Sequence, residues 1–341
     1  MTTHRVAAVD CGTNSIRLLI ADLDPERMIA TDIARQMKIF RLGEGVDRTG
    51  RLADAAIDRT ITALREYTDL IRSRAPEAVR MVATSATRDA ANSAEFTRRV
   101  KEVLGVEPEV VSGDEEAQLS FTGATRELVM PPRPASPGQP TPTDLPASPG
   151  RPPGEDGGPF LVTDIGGGST EFVISPADAA VSSASDYTRH ISVNIGCVRI
   201  TERRLHSDPP TAEEVTAATE DIDAALDTVA AKVPVTRAET LVGLAGSVTT
   251  VAGIALGLDH YDSERIHHSR VSAARAGEIA SQLLAQTRAE RAAIPVMHPG
   301  RVDVIGAGAL ILDRIMTRFG FAEVLVSEHD ILDGIAWSLV R

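Results

Sequence analysis

The sequence predicts an α/β protein made of two similar domains, each with the element order βββαβαβα, and three observations support this fold class. The chain has 341 residues, of which 43% are hydrophobic, enough for two ordinary domains with cores of their own. Strand and helix patterns alternate in the same order in both halves. A segment rich in proline and glycine lies between the halves, where a domain boundary is expected.

The first half begins with three strand patterns, after which helices and strands alternate. Apolar side chains at helical spacing indicate helices around residues 57–71 and 96–104, and a third helix is predicted at 114–128. The predicted strands of this half are 6–10, 16–22, roughly 28–42, 81–83 and 110–111. This order describes a hairpin meander that leads into parallel crossovers.

The second half repeats this order after residue 159. Its predicted strands are 160–164, 171–174, roughly 188–194, 241–244 and 324–326. Its predicted helices are 213–233, one after Gly246, 273–288, 304–318 and 331–340. The uncharged stretch 241–258 has nearly the length of a membrane span, but its glycines, serine and threonines favour a buried strand, a glycine turn and a buried helix.

Residues 131–159 separate the two halves and contain eleven of the twenty prolines and five of the glycines. Almost no aliphatic side chains accompany them, so the segment cannot bury enough surface to offset its chain entropy. We therefore predict a linker without fixed structure. A proline-rich ligand for a partner domain is the alternative interpretation.

The charge balance limits the partners that the protein can have. The formal net charge is −13 and aromatic residues make up 3% of the chain, which argues against a nucleic-acid polymer or an anionic membrane as partner. The two cysteines, Cys11 and Cys197, fit neither a disulfide framework nor a metal-ligand spacing. The N-terminus leads straight into a strand, so we expect a cytoplasmic protein. Any anionic substrate must be held by local donors.

Two matching loops are the clearest chemical feature of the sequence. Aligning Asp10 with Asp164 places Gly12 on Gly166 between two apolar strands. Glycine lets the backbone approach an anion, and successive N–H groups in such a turn form a nest for phosphate oxygens. One such loop alone would be an ordinary hairpin, but the matching pair favours phosphate binding. The candidate residues are Gly12, Thr13, Asn14, Ser15, Gly166, Gly167, Gly168 and Ser169.

Acidic residues beside these loops suggest a hard cation. Asp10 and Asp164 each end the strand before a loop, and Glu171 begins the strand after the second loop. Mg²⁺ prefers oxygen ligands and bridges a few carboxylates to substrate phosphates, with Mn²⁺ as the alternative ion. For Glu171 a solvated charge at a strand end is the competing interpretation.

Several ordered motifs resemble the Ppx/GppA family of exopolyphosphatases and guanosine pentaphosphate phosphohydrolases. They are residues 9–15 (VDCGTNS), 83–88 (ATSATR), 111–117 (VSGDEEA), 164–171 (DIGGGSTE) and 196–199 (GCVR). The resemblance implies two ribonuclease-H-like domains of the actin, Hsp70 and sugar-kinase superfamily around a central cleft. The first domain would comprise residues 1–130 and about 326–341, and the second residues 160–325.

The resemblance also selects a catalytic residue. Glu115 and Glu116 begin a predicted helix about 100° apart around its axis, so only one can face the cleft. The residues alone leave a second interpretation equally open, in which both complement the helix dipole near a cap at Ser112 or Asp114. The family match implies that Glu116 activates water and is a further candidate ligand of the metal.

Arginines and a third loop complete the candidate site. The resemblance implies that Arg88 binds substrate phosphate, and Arg17 and Arg199 are weaker candidates for the same role. Because 32 of the 35 basic residues are arginine, a surface arginine is the competing interpretation. Gly246 and Ser247 follow a strand, as a phosphate or nucleoside loop does in the superfamily.

These features predict a Mg²⁺-dependent exopolyphosphatase that releases orthophosphate from the end of polyphosphate. Larger family members add C-terminal helical domains that the given sequence does not resemble, so we expect short polyphosphates as substrates. One alternative is removal of the 5′-terminal phosphate of guanosine pentaphosphate. Alternatives of another class are a phosphotransferase and a noncatalytic polyphosphate or nucleotide sensor. A homodimer is compatible with the sequence.

Overall fold

The structure is a computed structural model that describes residues 3–126, 159–175 and 189–340. The predicted linker at 131–159 lies outside the described residues except for Pro159. The strands are β1 (His4–Cys11), β2 (Ser15–Asp24), β3 (Ile29–Ile39), β4 (Ala78–Ala83), β5 (Glu109–Val110), β6 (Phe160–Ile165), β7 (Thr170–Ser175), β8 (Arg189–Val193), β9 (Thr240–Leu244), β10 (Arg270–Ser272) and β11 (Glu323–Val326).

Helices connect these strands in both halves. They are α1 (Val46–Thr49), α2 (Asp54–Arg74), α3 (Ser85–Arg88), α4 (Ser93–Leu104), α5 (Gly113–Thr125), α6 (Cys197–Arg204), α7 (Ala212–Lys232), α8 (Ala245–Ala255), α9 (Ser263–Ile266), α10 (Ala273–Ala285), α11 (Arg288–Ala292), α12 (Ile305–Phe319) and α13 (Ile331–Trp337).

Two mixed sheets with the same central strand order confirm the predicted α/β fold class. The first sheet has the order β3-β2-β1-β4-β5, and the second has β10-β11-β9-β6-β7-β8. In each, the first three strands of the half form an antiparallel meander. Two further strands run parallel to the first strand of the half, β4 and β5 in the first sheet and β9 and β11 in the second. β10 extends the second sheet as an antiparallel edge strand.

The first sheet is covered on both faces, as the alternation along β1 requires. Ala7 and Val9 pack into a core with Ile57 of α2 and Phe96 of α4. Val6 and Ala8, which alternate with them along β1, face another core that contains Ile335 of α13. The last helix of the chain therefore packs on the first sheet.

Helices α5 and α13 cross between the two sheets. α5 follows the first sheet but contacts β6, β7 and β8 of the second, whereas α13 follows the second sheet but contacts β1 and β2 of the first. Their axes approach closely at two glycines. A Cβ on Gly123 would overlap the carbonyl oxygen of Asp330, and a Cβ on Gly334 would overlap that of Leu119. Each of the two helices therefore follows one sheet in the chain and packs against the other sheet.

The stretch 241–258 forms the predicted strand and helix as β9 and α8, with the helix beginning at Ala245. The structure adds short elements that the sequence patterns do not predict, namely α1, α3, α6, α9, β10 and α11. Among the helices that the structure describes, none is long and apolar enough to cross a membrane.

Candidate active site

The two predicted phosphate loops adopt the same hairpin conformation. The N–H of Gly12 donates to the carbonyl oxygen of Ser15 at 2.9 Å in the loop between β1 and β2. The N–H of Gly166 donates to the carbonyl oxygen of Ser169 at 3.0 Å in the loop between β6 and β7. The sequence match between the loops is therefore a match of backbone geometry as well.

The two loops also touch each other. A Cβ on Gly167 would lie 2.9 Å from the Thr13 Cβ, and a Cβ on Gly168 would lie 2.8 Å from the Thr13 Oγ1. The same Thr13 oxygen shares a hydrogen bond of 2.9 Å with the Ser85 Oγ at the start of α3. The absence of side chains at these glycines lets the loops of the two halves meet.

Arg17 on β2 binds two aspartates. Its Nε and Nη2 donate to the Asp10 Oδ2 at 2.9 and 2.7 Å, and its Nη1 donates to Asp330. Burial raises the pKa of Asp10, and the Arg17 charge opposes that shift. Burial would lower the pKa of Arg17, but the charges of Asp330, Asp10 and Asp164 hold it well above its ordinary value. The other Asp10 oxygen, Oδ1, is buried without a hydrogen-bond partner among the described residues.

Asp164 ends β6 at the position that corresponds to Asp10. Its Oδ2 accepts a hydrogen bond of 2.8 Å from the buried Ser120 hydroxyl of α5. Burial and the charge of Asp330 raise the pKa of Asp164 to about 6, although the Ser120 bond and the Arg17 charge oppose this. Asp164 is therefore a carboxyl group that a nearby cation would ionise further.

Glu171 lies beside Asp164 on β7 and is 2% exposed. Its Oε1 accepts a hydrogen bond of 2.7 Å from the Ser192 hydroxyl. Burial and the charges of Glu116 and Asp164 raise its pKa well above the usual value. The interpretation of Glu171 as a solvated charge at a strand end is wrong, because the side chain is inside the protein.

Glu116 lies in the first turn of α5, which begins after the Ser112 cap. The side chain is 8% exposed, and its Oε2 accepts a hydrogen bond of 3.0 Å from Arg88 Nη1. The same Arg88 nitrogen donates to the Val111 carbonyl oxygen at 2.9 Å. Burial raises the pKa of Glu116 to about 7, with Arg88 opposing the shift. A carboxyl group with this pKa is suited to accept a proton near neutral pH.

A cavity of about 100 Å³ lies between the loops and brings most of the predicted residues together. Three carboxylates line it, one each from β1, α5 and β6. The predicted residues that line it are Asp10, Gly12, Thr13, Asn14, Ser15, Arg17, Glu116, Asp164, Gly166, Gly167, Ser169, Gly246 and Ser247.

Four predicted residues do not line this cavity. Arg88 pairs with Glu116 and Glu171 lies beside Asp164, so both adjoin the site. Gly168 is turned toward Thr13 and Ser85. Arg199 donates to the Gly168 carbonyl oxygen at 2.6 Å and forms ion pairs with Asp47 and Asp89.

A second cavity of about 550 Å³ adjoins the first, and Arg17, Met37, Ala245, Gly246 and Arg301 line both. The Arg301 guanidinium covers Gly246, donating to its carbonyl oxygen and to the Thr250 Oγ1 at 2.9 Å. Burial lowers the pKa of Arg301, and the charge of Glu328 opposes that shift. A partly buried guanidinium beside the phosphate site suits an anionic ligand.

The acidic residues fit a cation that is shared with substrate. Asp10 Oδ1 has no partner within the described residues, and burial raises the pKa of Asp10, Asp164 and Glu116. Within residues 3–126, 159–175 and 189–340, no group of three or more His, Cys, Asp or Glu side chains is arranged to hold a metal ion. A cation would therefore need water and substrate oxygens besides one or two carboxylates, as Mg²⁺ usually does.

Three residues of the site, Ser120, Arg301 and Asp330, are not among those predicted from the sequence. Ser120 follows Glu116 by four positions on the same helix, so helical spacing could have placed both on one face. Asp330 precedes α13 and forms a capping box with Asp333, a pattern that predicts a helix start but no contact with Arg17. No local pattern distinguishes Arg301 from the other arginines.

Comparisons with known proteins identify the family to which the chain belongs. The chain is 45% identical over 350 aligned positions to Exopolyphosphatase 2 of Mycobacterium tuberculosis, with 99% of each chain covered. The crystal structure of an exopolyphosphatase-like protein matches with a TM-score of 0.86 and 38% identity over 99% of this chain and 98% of that one. A Ppx/GppA family member from Aquifex aeolicus matches with a TM-score of 0.74 and 28% identity over the same shares.

The family model described as the Ppx/GppA phosphatase family matches residues 19–133 and 155–341, which together are most of the chain. Their TM-scores of 0.86 and 0.74 show that these structural neighbours have the same overall fold as this chain. The resemblance found in the sequence motifs is therefore confirmed, and the chain belongs to the Ppx/GppA phosphatase family.

Proposed function

We propose that this protein is an exopolyphosphatase, which hydrolyses the terminal phosphoanhydride of inorganic polyphosphate and releases orthophosphate. The observation that carries the proposal is the meeting of Asp10, Glu116 and Asp164 around one cavity between two phosphate loops. The relative from M. tuberculosis, named as an exopolyphosphatase, supports the choice of substrate. Short polyphosphates are the expected substrates.

Glu116 is the proposed base that orients and deprotonates the attacking water. Its pKa of about 7 lets it accept a proton near neutral pH, and Arg88 fixes one of its oxygens. The helix start at Ser112 places this side chain at the edge of the cavity. Its place in the lining of the cavity and its raised pKa support the proposed role in the hydrolysis.

The transferred phosphoryl group needs donors and positive charge on its oxygens. Backbone N–H groups of the two loops supply donors, and Arg301 supplies a cation on the second half. Asp10 through Oδ1 and Asp164 would hold Mg²⁺, with Glu116 and Glu171 as further candidates. When bound, the ion neutralises charge on the phosphate oxygens.

A second candidate substrate is guanosine pentaphosphate, and the larger cavity is the observation that favours it. The cavity has about 550 Å³ and opens from the phosphate site past Arg301. Tyr261, Val296 and Met297 give it an aromatic and apolar wall, and Glu328 adds an acceptor. Such a wall suits a nucleobase better than a bare phosphate chain. Cytoplasmic location and a homodimer remain predictions.

The test is phosphate release by the purified protein with Mg²⁺ from tripolyphosphate, longer polyphosphate, guanosine pentaphosphate and ATP. Turnover that is fastest on polyphosphate supports the proposal. Turnover that is fastest on guanosine pentaphosphate favours the second candidate. Phosphorylation of an acceptor by ATP, or tight binding of polyphosphate without release, would contradict both and indicate a phosphotransferase or a sensor.

A further inference from the structure

Asp330 lies where the second sheet passes into α13, and its atoms contact three parts of the molecule. Its Oδ1 accepts the N–H of Leu332 at 3.0 Å as the N-cap of the helix, while its Oδ2 accepts from Arg17. Its carbonyl oxygen lies against Gly123 of α5. The side chain is 3% exposed, so these contacts leave it little freedom.

The geometry of Arg17 makes Asp330 relevant to the candidate catalytic centre. A guanidinium is a rigid, planar fork, so partners on two edges fix its plane and its position. Asp10 takes one edge, through Nε and Nη2, and Asp330 takes the remaining nitrogen. With Oδ2 held by Arg17, Asp10 keeps Oδ1 for a ligand in the cavity.

Asp330 packs against α5, and this helix positions the other two acids of the cavity. It carries Glu116 itself and Ser120, which donates a hydrogen bond to Asp164. Along α5, Glu116, Ser120 and Gly123 follow one another at helical spacing on one face. Glu116 lines the cavity, Ser120 binds Asp164, and Gly123 receives the Asp330 carbonyl oxygen. One residue therefore connects the support of Asp10 with the helix that supports Glu116 and Asp164.

We propose that Asp330 is a positioning residue for the hydrolysis, acting through Arg17 to hold Asp10 in place for catalysis. The proposal rests on the proposed function for the identity of the reaction. A displacement of about 1 Å in a catalytic group can cost on the order of a hundredfold in rate. Asp330 lines the second cavity but not the cavity that holds the three carboxylates, so it contributes to kcat through Arg17 and not through contact with the reacting phosphoryl group.

Capping of α13 is the other role that Asp330 has, and a serine substitution separates the two. In Asp330→Ser, the hydroxyl still caps the helix but is too short to reach Arg17. Arg17→Lys keeps the positive charge but cannot serve both aspartates as a planar fork does. Asp333→Asn is the matched control, because Asp333 is a buried carboxylate of the same capping box that pairs with Arg35 instead.

The experiment measures kcat and KM for tripolyphosphate in Asp330→Ser, in Arg17→Lys and in the double variant. The control Asp333→Asn is measured in the same way. We expect Asp330→Ser to lower kcat at least tenfold with KM changed less than about twofold, and Asp333→Asn to keep kcat within about threefold of the wild-type value. In the Arg17→Lys background, Asp330→Ser should lower kcat by less than about twofold. Independent losses that multiply, a rise in KM at constant kcat, or an equal loss in Asp333→Asn would overturn the proposal.

The wild-type protein, the two single variants at positions 17 and 330 and their double variant also separate this inference from the proposed function. Thermal melting gives a coupling between positions 17 and 330 that does not depend on turnover, and we expect their effects on Tm to be non-additive. If the wild-type protein released no phosphate from any polyphosphate, the proposed function would fail while the coupling could still be measured. Additive effects on Tm would overturn the inference even in an active enzyme.

Discussion

The two phosphate hairpins have the same backbone but opposite charges beside their aspartates. In the first hairpin Asp10 is paired across the strands with Arg17, and in the second Asp164 is paired with Glu171. The basic residue neutralises its aspartate, whereas the acidic residue adds a second carboxyl group to a buried site. A duplicated fold has thus given the two walls of one cavity different electrostatic roles.

This difference predicts that the first hairpin is stable by itself and that the second depends on protons or a cation. Arg17 pairs with Asp10 and Asp330 and opposes the effect of burial on the pKa of Asp10, so the first wall carries a positive charge of its own. The pKa of Asp164 is about 6 and that of Glu171 is well above its usual value, chiefly because both are buried. A bound cation would favour the ionised forms on the second wall.

Removal of Arg17 should break the first hairpin most severely. Arg17→Met leaves Asp10 and Asp330 buried without their counter-ion, so we expect the free energy of unfolding to fall by about 3–5 kcal/mol in urea denaturation. Arg5→Met is the control, because Arg5 pairs with Asp22 on the same two strands but is far more exposed. The control should lose no more than about 1 kcal/mol. Equal losses would refute the role of burial.

Widening the helix crossing should have the next largest effect. In Gly123→Ala the new methyl group overlaps the Asp330 carbonyl oxygen, and we expect a loss of about 1–3 kcal/mol in stability. Gly253→Ala is the matched control, since its Cβ would meet Val296 at an ordinary 3.4 Å inside helix α8. That variant should be neutral or more stable, because alanine favours a helix. A stable Gly123→Ala would contradict the close crossing.

The stability of the metal-free protein should depend on pH through the acids at the second hairpin, which have no basic partner there. Glu116, Asp164 and Glu171 have folded pKa values above their unfolded values, so folding stabilises the protonated forms. This contribution is complete below the unfolded pKa of about 4.5 and is lost as pH rises through the folded pKa, near 7 for Glu116.

The melting temperature in EDTA should therefore fall between pH 5 and pH 8 through these groups. Glu171→Gln replaces one acid by a neutral group of the same shape, so its curve should be flatter and its melting temperature at pH 8 higher than that of the wild-type protein. A Glu171→Gln protein that melts below the wild type at pH 8 would show that Glu171 is compensated in some other way.

Loss of the Ser120 hydroxyl should have the smallest effect. Ser120→Ala removes a hydrogen bond that lowers the pKa of Asp164, so the pKa should rise above about 6. The stability change should be about 1 kcal/mol, as for a single hydrogen bond. Carboxyl-carbon NMR titration without metal would measure this pKa. An unchanged value would mean that the hydroxyl does not hold Asp164 in solution.

The hairpins could be predicted from sequence because their determinants are local. A glycine two positions after Asp10, and again after Asp164, specifies the turn, and the flanking strands alternate within a few residues. The same holds for long helices such as α2, whose apolar spacing is regular. The fold class followed from repeating these local patterns in order.

The partners of the acids could not be predicted because they come from distant parts of the chain. Arg17 and Asp330 are 313 positions apart, and no spacing rule connects them. Helix α6 is a similar case, since the N–H groups of Cys197 and Val198 donate to carbonyl oxygens of the second phosphate loop. The prediction of Arg88 as a phosphate ligand also could not show that it already pairs with Glu116.

The role of Glu116 as the base of one hydrolytic site is tested most directly by kcat for tripolyphosphate in Glu116→Gln, compared with kcat in Glu115→Gln. Glu115 is the adjacent, partly exposed acid and pairs with Arg80 outside the cavity, so its loss should leave kcat near the wild-type value. Loss of the base should lower kcat by about 10²–10⁴-fold, and the melting temperature should be no lower than that of the wild-type protein. Near-normal turnover by a folded Glu116→Gln protein would contradict the assignment of these acids to one hydrolytic site.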